Sequence, residues 1–66
     1  MWLNIKIEEN NRLVSEMYER IKNMADARRR VKQVTGNPDV LRKHKFHNNS
    51  LSVNDVNVSY YFKVDY

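Results

Sequence analysis

Cysteine is absent from the 66-residue chain, and glycine and proline occur once each. Without cysteine there is no disulfide framework, no thiolate nucleophile and no cysteine-based zinc site. One glycine excludes the phosphate-cradling loop and the dinucleotide fingerprint, both of which need several glycines in a fixed pattern. No stretch approaches the roughly 20 apolar residues that span a bilayer. Residues 1–9 also lack the basic lead, apolar run and small-residue cleavage site of a signal peptide, so a soluble, cytoplasmic domain is expected. What is present is a globular mixture, 41% hydrophobic and 30% charged, with twelve Lys and Arg against eight Asp and Glu. Residues 1–66 are read as one small domain. A domain of this size buries only about 60% of the surface its unfolded chain exposes, which leaves little interior for an enclosed active site or a large cofactor. Self-association is one way to complete so small a core.

Two kinds of hydrophobic period run along the chain. Met1, Leu3, Ile5 and Ile7 alternate with Trp2, Asn4 and Lys6, the period of a half-buried strand, which predicts a strand over 2–7. From Asn10 the spacing changes to Val14, Met17, Ile21 and Met24, widened by Leu13, Tyr18 and Ala25, the stripe of an amphipathic helix. This predicts one long helix capped by Asn10 or Asn11, ending near Val34 or Thr35 before Gly36. Asn37-Pro38 then starts a short helix over about 38–44, broken by His47-Asn48-Asn49-Ser50. Leu51-Ser52-Val53, an Asn54-Asp55 turn and the long alternation from Val56 to Tyr66 read as a hairpin. A two-residue turn there sets Val53 opposite Val56 and Leu51 opposite Val58, with a longer loop as the alternative. The expected fold is α+β: a three-stranded antiparallel sheet packed on one long helix, in the order β-α-α-β-β, with the first strand beside a central C-terminal one. Val58, Tyr60 and Phe62 are expected to face the helix, with Ser59 and Tyr61 opposite.

Charge is concentrated in the middle. Residues 28–47 carry Arg28, Arg29, Arg30, Lys32, Arg42, Lys43 and Lys45 against Asp39 alone, a net +6, which leaves −2 for the other 46 residues. Such clustering suits a polyphosphate backbone, since each neutralised phosphate releases counterions and arginine adds bidentate contacts. Cations near a helix C-terminus also complement its dipole on proteins that bind no nucleic acid. Arg28 and Lys32, however, fall on the extrapolated apolar stripe, so the helix end is expected to project past the sheet or Arg28 to snorkel along it. A second element is aromatic. Phe46 is placed opposite Lys63 on the outer face of the hairpin, with Tyr61 one diagonal away, where exposed rings beside cations can stack on unpaired bases. The competing reading turns Phe46 inward.

No set of residues reads as catalytic, and no cofactor or metal is expected. His44 and His47 are three apart but lack a marked third ligand; histidine can instead add charge to the basic island as pH falls. Helix, glycine turn and helix suggest a helix-turn-helix, but the second helix is too short and carries its cations at its C-terminal end, whereas a recognition helix presents its N-terminal residues to base edges. The sequence therefore points to a small non-enzymatic nucleic-acid-binding protein, RNA favoured over DNA, gripping the phosphate backbone through Arg28, Arg29, Arg30, Lys32, Arg42, Lys43 and Lys45, with Tyr61 as a stacking surface. The rival is a small inhibitor or adaptor that binds an acidic or nucleic-acid-binding surface of another protein. Trp2 and Tyr18 are then candidate anchors, and homodimerisation is open to either.

Overall fold

The computed structural model describes all 66 residues. It is α+β with one antiparallel sheet, but the sheet has four strands, not three, and neither helix is long. The elements are β1 (Trp2–Glu9), β2 (Arg12–Arg20), α1 (Met24–Thr35), α2 (Val40–Lys43), β3 (Ser50–Asn54) and β4 (Val58–Asp65), with strand order β2-β1-β4-β3. The expected pairing of the first strand with the last holds, Ile5 standing opposite Phe62, and β1 and β4 form the centre.

The main departure is β2, which occupies the first half of the expected long helix. Asn10 and Asn11 have φ of 51° and 65°, so they do not cap a helix. They make a two-residue turn with both central residues left-handed, which matches the twist of the strands it joins and suits asparagine. The chain therefore doubles back and pairs Glu9 with Arg12 through to Trp2 with Arg20. Val14 is the extra residue where the register shifts between Ile7 and Glu8. The expected stripe is dispersed: Val14 is 53% exposed, Met17 is half-buried against the core, and Ile21 is buried in the connection to the helix.

The helix starts at Met24 because its cap is Asn23. The Asn23 Oδ1 accepts from the Asp26 N–H at 3.0 Å, and the Asp26 carboxylate accepts in return from the Lys22 N–H at 2.9 Å, a reciprocal arrangement that satisfies two otherwise orphaned donors. This exchange, led by the Lys22 N–H and helped by Arg29, holds the Asp26 carboxyl below its usual range. Gly36 ends α1 at φ 68° as expected. The face of α1 that meets the sheet is Ala27 and Val31, both fully buried, flanked by Met24 and Val34. Arg28 and Lys32 lie off this stripe and are exposed, so the expectation that the apolar face gives way to charge at the helix end is corrected.

The second half follows the predicted faces with shifted boundaries. Asn37 starts the turn into α2, its Oδ1 accepting from Asp39 N–H and its carbonyl from Val40 N–H, and α2 is a single turn instead of the expected 38–44. The β3–β4 hairpin uses the longer loop: Leu51 faces Phe62 and Val53 faces Tyr60, while Val56 is 90% exposed in the loop. The offset from the expected register is four residues, an even number, so inward residues stay inward. Phe62 and Val64 are buried, Val58 and Tyr60 half-buried, and Tyr61 exposed on the opposite face. That opposite face has no helix over it. No helix is long and apolar enough to cross a membrane.

Candidate nucleic-acid interface

Ion pairing divides the seven cations of the basic island. Arg30 lies on the flank of α1 toward β2, where its Nε and Nη2 donate to the Glu19 carboxylate at 2.7–2.9 Å and Nη1 to Gln33 at 3.3 Å. Both partners are about a third exposed, and this fork ties the helix to the edge strand. The Glu19 hydrogen bonds hold the Arg30 guanidinium above its ordinary pKa. Arg29 Nη1 sits 3.1 Å from Asp26, and Arg42 Nε 3.5 Å from Asp39. Arg28, Lys32, Lys43 and Lys45 have no carboxylate within 4.0 Å.

The four unpaired cations of the island share one side of the molecule. At 100° per residue, Arg28 and Lys32 are about 40° apart on the same flank of α1. That flank faces the segment after α2: Arg28, Leu41, Lys45 and Phe46 line one recess. Lys45 then lines a second, of about 420 Å³, together with Lys43, His44, His47, Ser50 and Ser52. A third, of about 430 Å³, shares Ser50, Leu51 and Ser52 with the second and continues onto the open sheet face with Lys63, Lys6 and Tyr61. A cationic track thus runs from α1, past the α2–β3 connection and around the β3 edge.

This places Tyr61 where the sequence put it, 36% exposed on the outer face, but not beside Phe46. Phe46 is half-buried against the core, so the two-ring platform is replaced by one ring. The Tyr61 hydroxyl donates to Glu8 Oε1 at 3.2 Å, and Glu8 is the single acid along the outer recess. Lys63 was expected on this face beside Tyr61; Lys6 was missing from the sequence reading because it lies outside the basic island. The alternation of β4 already put Lys63 on Tyr61's face, and the β1–β4 register sets Lys6 opposite Tyr61. His47 and Ser50 exchange two backbone hydrogen bonds across Asn48-Asn49, a second turn with φ of 50° and 67°, and this folds the basic segment against the start of β3.

The arrangement offers cations and hydroxyls along an open surface and one partly exposed ring, groups that bind anions and stack on planes. Comparison with protein-family models, curated proteins and solved structures gave no match.

Proposed function

We propose that this domain is a non-enzymatic nucleic-acid-binding protein that grips a phosphate backbone along the track defined by Arg28, Lys32, Lys43 and Lys45. The observation that carries this reading is the division of charge within the basic island: its four cations without carboxylate partners collect on one side, and the paired ones, Arg29, Arg30 and Arg42, have their charge answered within the chain, while Arg12, Arg20 and Lys22, also unpaired, lie apart on and just after β2. Free cations are the ones whose counterions are released on binding phosphates. The continuation of the track past Ser50 and Ser52 to Tyr61 favours a single strand, RNA before DNA, since an unpaired base can stack on a ring that a duplex keeps covered.

Backbone binding of this kind falls steeply and log-linearly with salt and depends little on sequence. Titration of unrelated RNA and DNA oligomers at several salt concentrations tests it, with tighter binding to single strands expected. Undetectable binding to all of them at low salt overturns the reading. That result would promote the rival role, an inhibitor or adaptor on another protein, which is supported by the exposure of Trp2 and Tyr18 at 50% and 64%.

A further inference from the structure

The edge of the sheet opposite the cationic track, β2, is unpaired and mixes exposed apolar and charged side chains. The bond from Ile21 N–H to Met1 carbonyl fixes the phase of the β1–β2 ladder. Leu3 with Glu19, Ile5 with Met17 and Ile7 with Ser15 are therefore the pairs that exchange hydrogen bonds. The backbone groups of Glu16, Tyr18 and Arg20 point the other way, out of the sheet. None of the backbone hydrogen bonds outside the ladders reaches them. Leu13, Val14 and Tyr18, all on β2, are 53–64% exposed. Proline, lysine or a covering element can close such an edge; β2 contains neither residue, the helix beside it lies on the inner face, held by Arg30 to Glu19, and the bulge at Val14 and the inward Glu19 interrupt the edge while leaving Glu16 to Arg20 as a regular segment.

We propose that β2 is the interface of a symmetric dimer of this chain, in which two β2 strands pair antiparallel with Tyr18 on the twofold axis and Glu16 of each copy opposite Arg20 of the other. Charge selects this register from those that the phase allows. An axis at Glu16 sets that carboxylate against its own copy, and one at Arg20 does the same with its guanidinium. An axis at Met17 sets Glu16 against Tyr18 and leaves both charges of the segment without an opposite partner, one at Ser15 centres beside the Val14 bulge, and one at Glu19 sets Glu19 against itself. The Tyr18 axis sets no like charges opposite and makes two Glu16–Arg20 pairs, each between residues whose backbone groups already point outward. Arg20 has no ion-pair partner within the chain. Glu16 uses only Oε2 toward Asn4, Lys6 and Tyr18, leaving Oε1 for the second copy. Pairing yields a continuous eight-stranded sheet with a cationic track at each end, roughly seven strand spacings or about 34 Å apart. The dimer is independent of what the tracks bind.

The test is a charge exchange read by sedimentation over a range of concentrations, with circular dichroism to establish that each variant folds. Wild type dimerises, and Arg20→Glu and Glu16→Arg each weaken dimerisation about tenfold by opposing like charges at both pairs. An equimolar mixture of the two variants recovers the dimer, because each cross-copy pair is again of opposite sign. In a chain without cysteine, Tyr18→Cys forms an interchain disulfide on mild oxidation, since hydrogen-bonded pairs hold their Cα atoms about 5.5 Å apart; Glu16→Cys does not. A wild type that stays monomeric, a mixture no better than its components, or cross-linking at position 16 in place of 18 overturns the proposal.

Discussion

If counterion release drives binding, neutralising the unpaired cations and neutralising the paired ones should have different consequences, though both remove positive charge from the same twenty-residue island. Each phosphate contact adds about 0.7 to the salt slope on a single strand and about 0.9 on B-form DNA. The four unpaired cations, Arg28, Lys32, Lys43 and Lys45, then supply a slope of about 2.8 or 3.6. Between 50 and 200 mM salt that corresponds to a loss of about 50-fold on single strands and about 150-fold on duplex. Substituting all four by glutamine should flatten the slope by that amount and weaken low-salt binding accordingly. The comparison variant is Arg29→Gln with Arg42→Gln. Those side chains are 67% and 83% exposed and already sit beside carboxylates, so each pair is worth about 0–1 kcal/mol to the fold and releases few counterions on binding. Its slope should fall by less than about 1. Fluorescence anisotropy of a labelled single-stranded RNA across a salt series reads both slopes, with thermal melting as the check on folding. A double variant that flattens the slope as much as the quadruple one, or a quadruple variant with an unchanged slope, would refute the reasoning.

Arg30 behaves differently from its neighbours: Arg30→Ala strands the Glu19 carboxylate and should cost about 1–3 kcal/mol in chemical denaturation, while Arg30→Lys, charged but unable to form the fork, should recover only part. Phe62→Ala, at a position 1% exposed, should cost about 3–5 kcal/mol; a stable, native-like variant would mean that Phe62 is not a core residue. Asn11→Val places a β-branched residue at φ 65° and should destabilise by about 1–2 kcal/mol, whereas Asn11→Gly should be close to neutral, both read by denaturant midpoint. The Asp26 carboxyl has a lowered pKa in the folded state, so its contribution is full above the unfolded carboxylate pKa and is lost as pH falls through the folded value. Acid titration of the melting temperature should show that loss, and Asp26→Asn should lower stability near neutrality and shrink the gap from wild type at the acid end.

The legible parts of the fold are those where burial dictates the pattern. β4 alternates without interruption because its inner residues meet α1 and the core, and the even offset of the hairpin kept Val58, Tyr60 and Phe62 on the inward face while Val56 moved out into the loop. β2 was misread because burial hardly acts on it. It is an edge strand whose inward side chains are Ser15, Met17 and Glu19, only one of them apolar, and the extra residue at Val14 breaks the period of two. What remains, apolar residues at 13, 14, 17, 18 and 21, coincides with a helical stripe. The deciding term is absent from any such count: were residues 12–20 helical, one whole edge of β1 would lose its backbone partners. Asn10-Asn11 fits a cap or a turn equally well, so the local signal could not arbitrate.

The same misreading carried into the site. The partners of Arg29 and Arg42 lie three residues upstream, at Asp26 and Asp39, and this spacing on a helix can be read from sequence. The partner of Arg30 is Glu19, eleven residues upstream. On the expected continuous helix that spacing puts the two about 16 Å apart along the axis, out of reach. Folding 12–20 into the sheet brings them within 2.9 Å and removes Arg30 from the free charge. The location of the basic island thus follows from composition and the pairing of Arg29 and Arg42 from spacing, but the pairing of Arg30 follows from the strand that the composition hid. The same strand, exposing its outer edge, supplies the surface on which a second copy can pair.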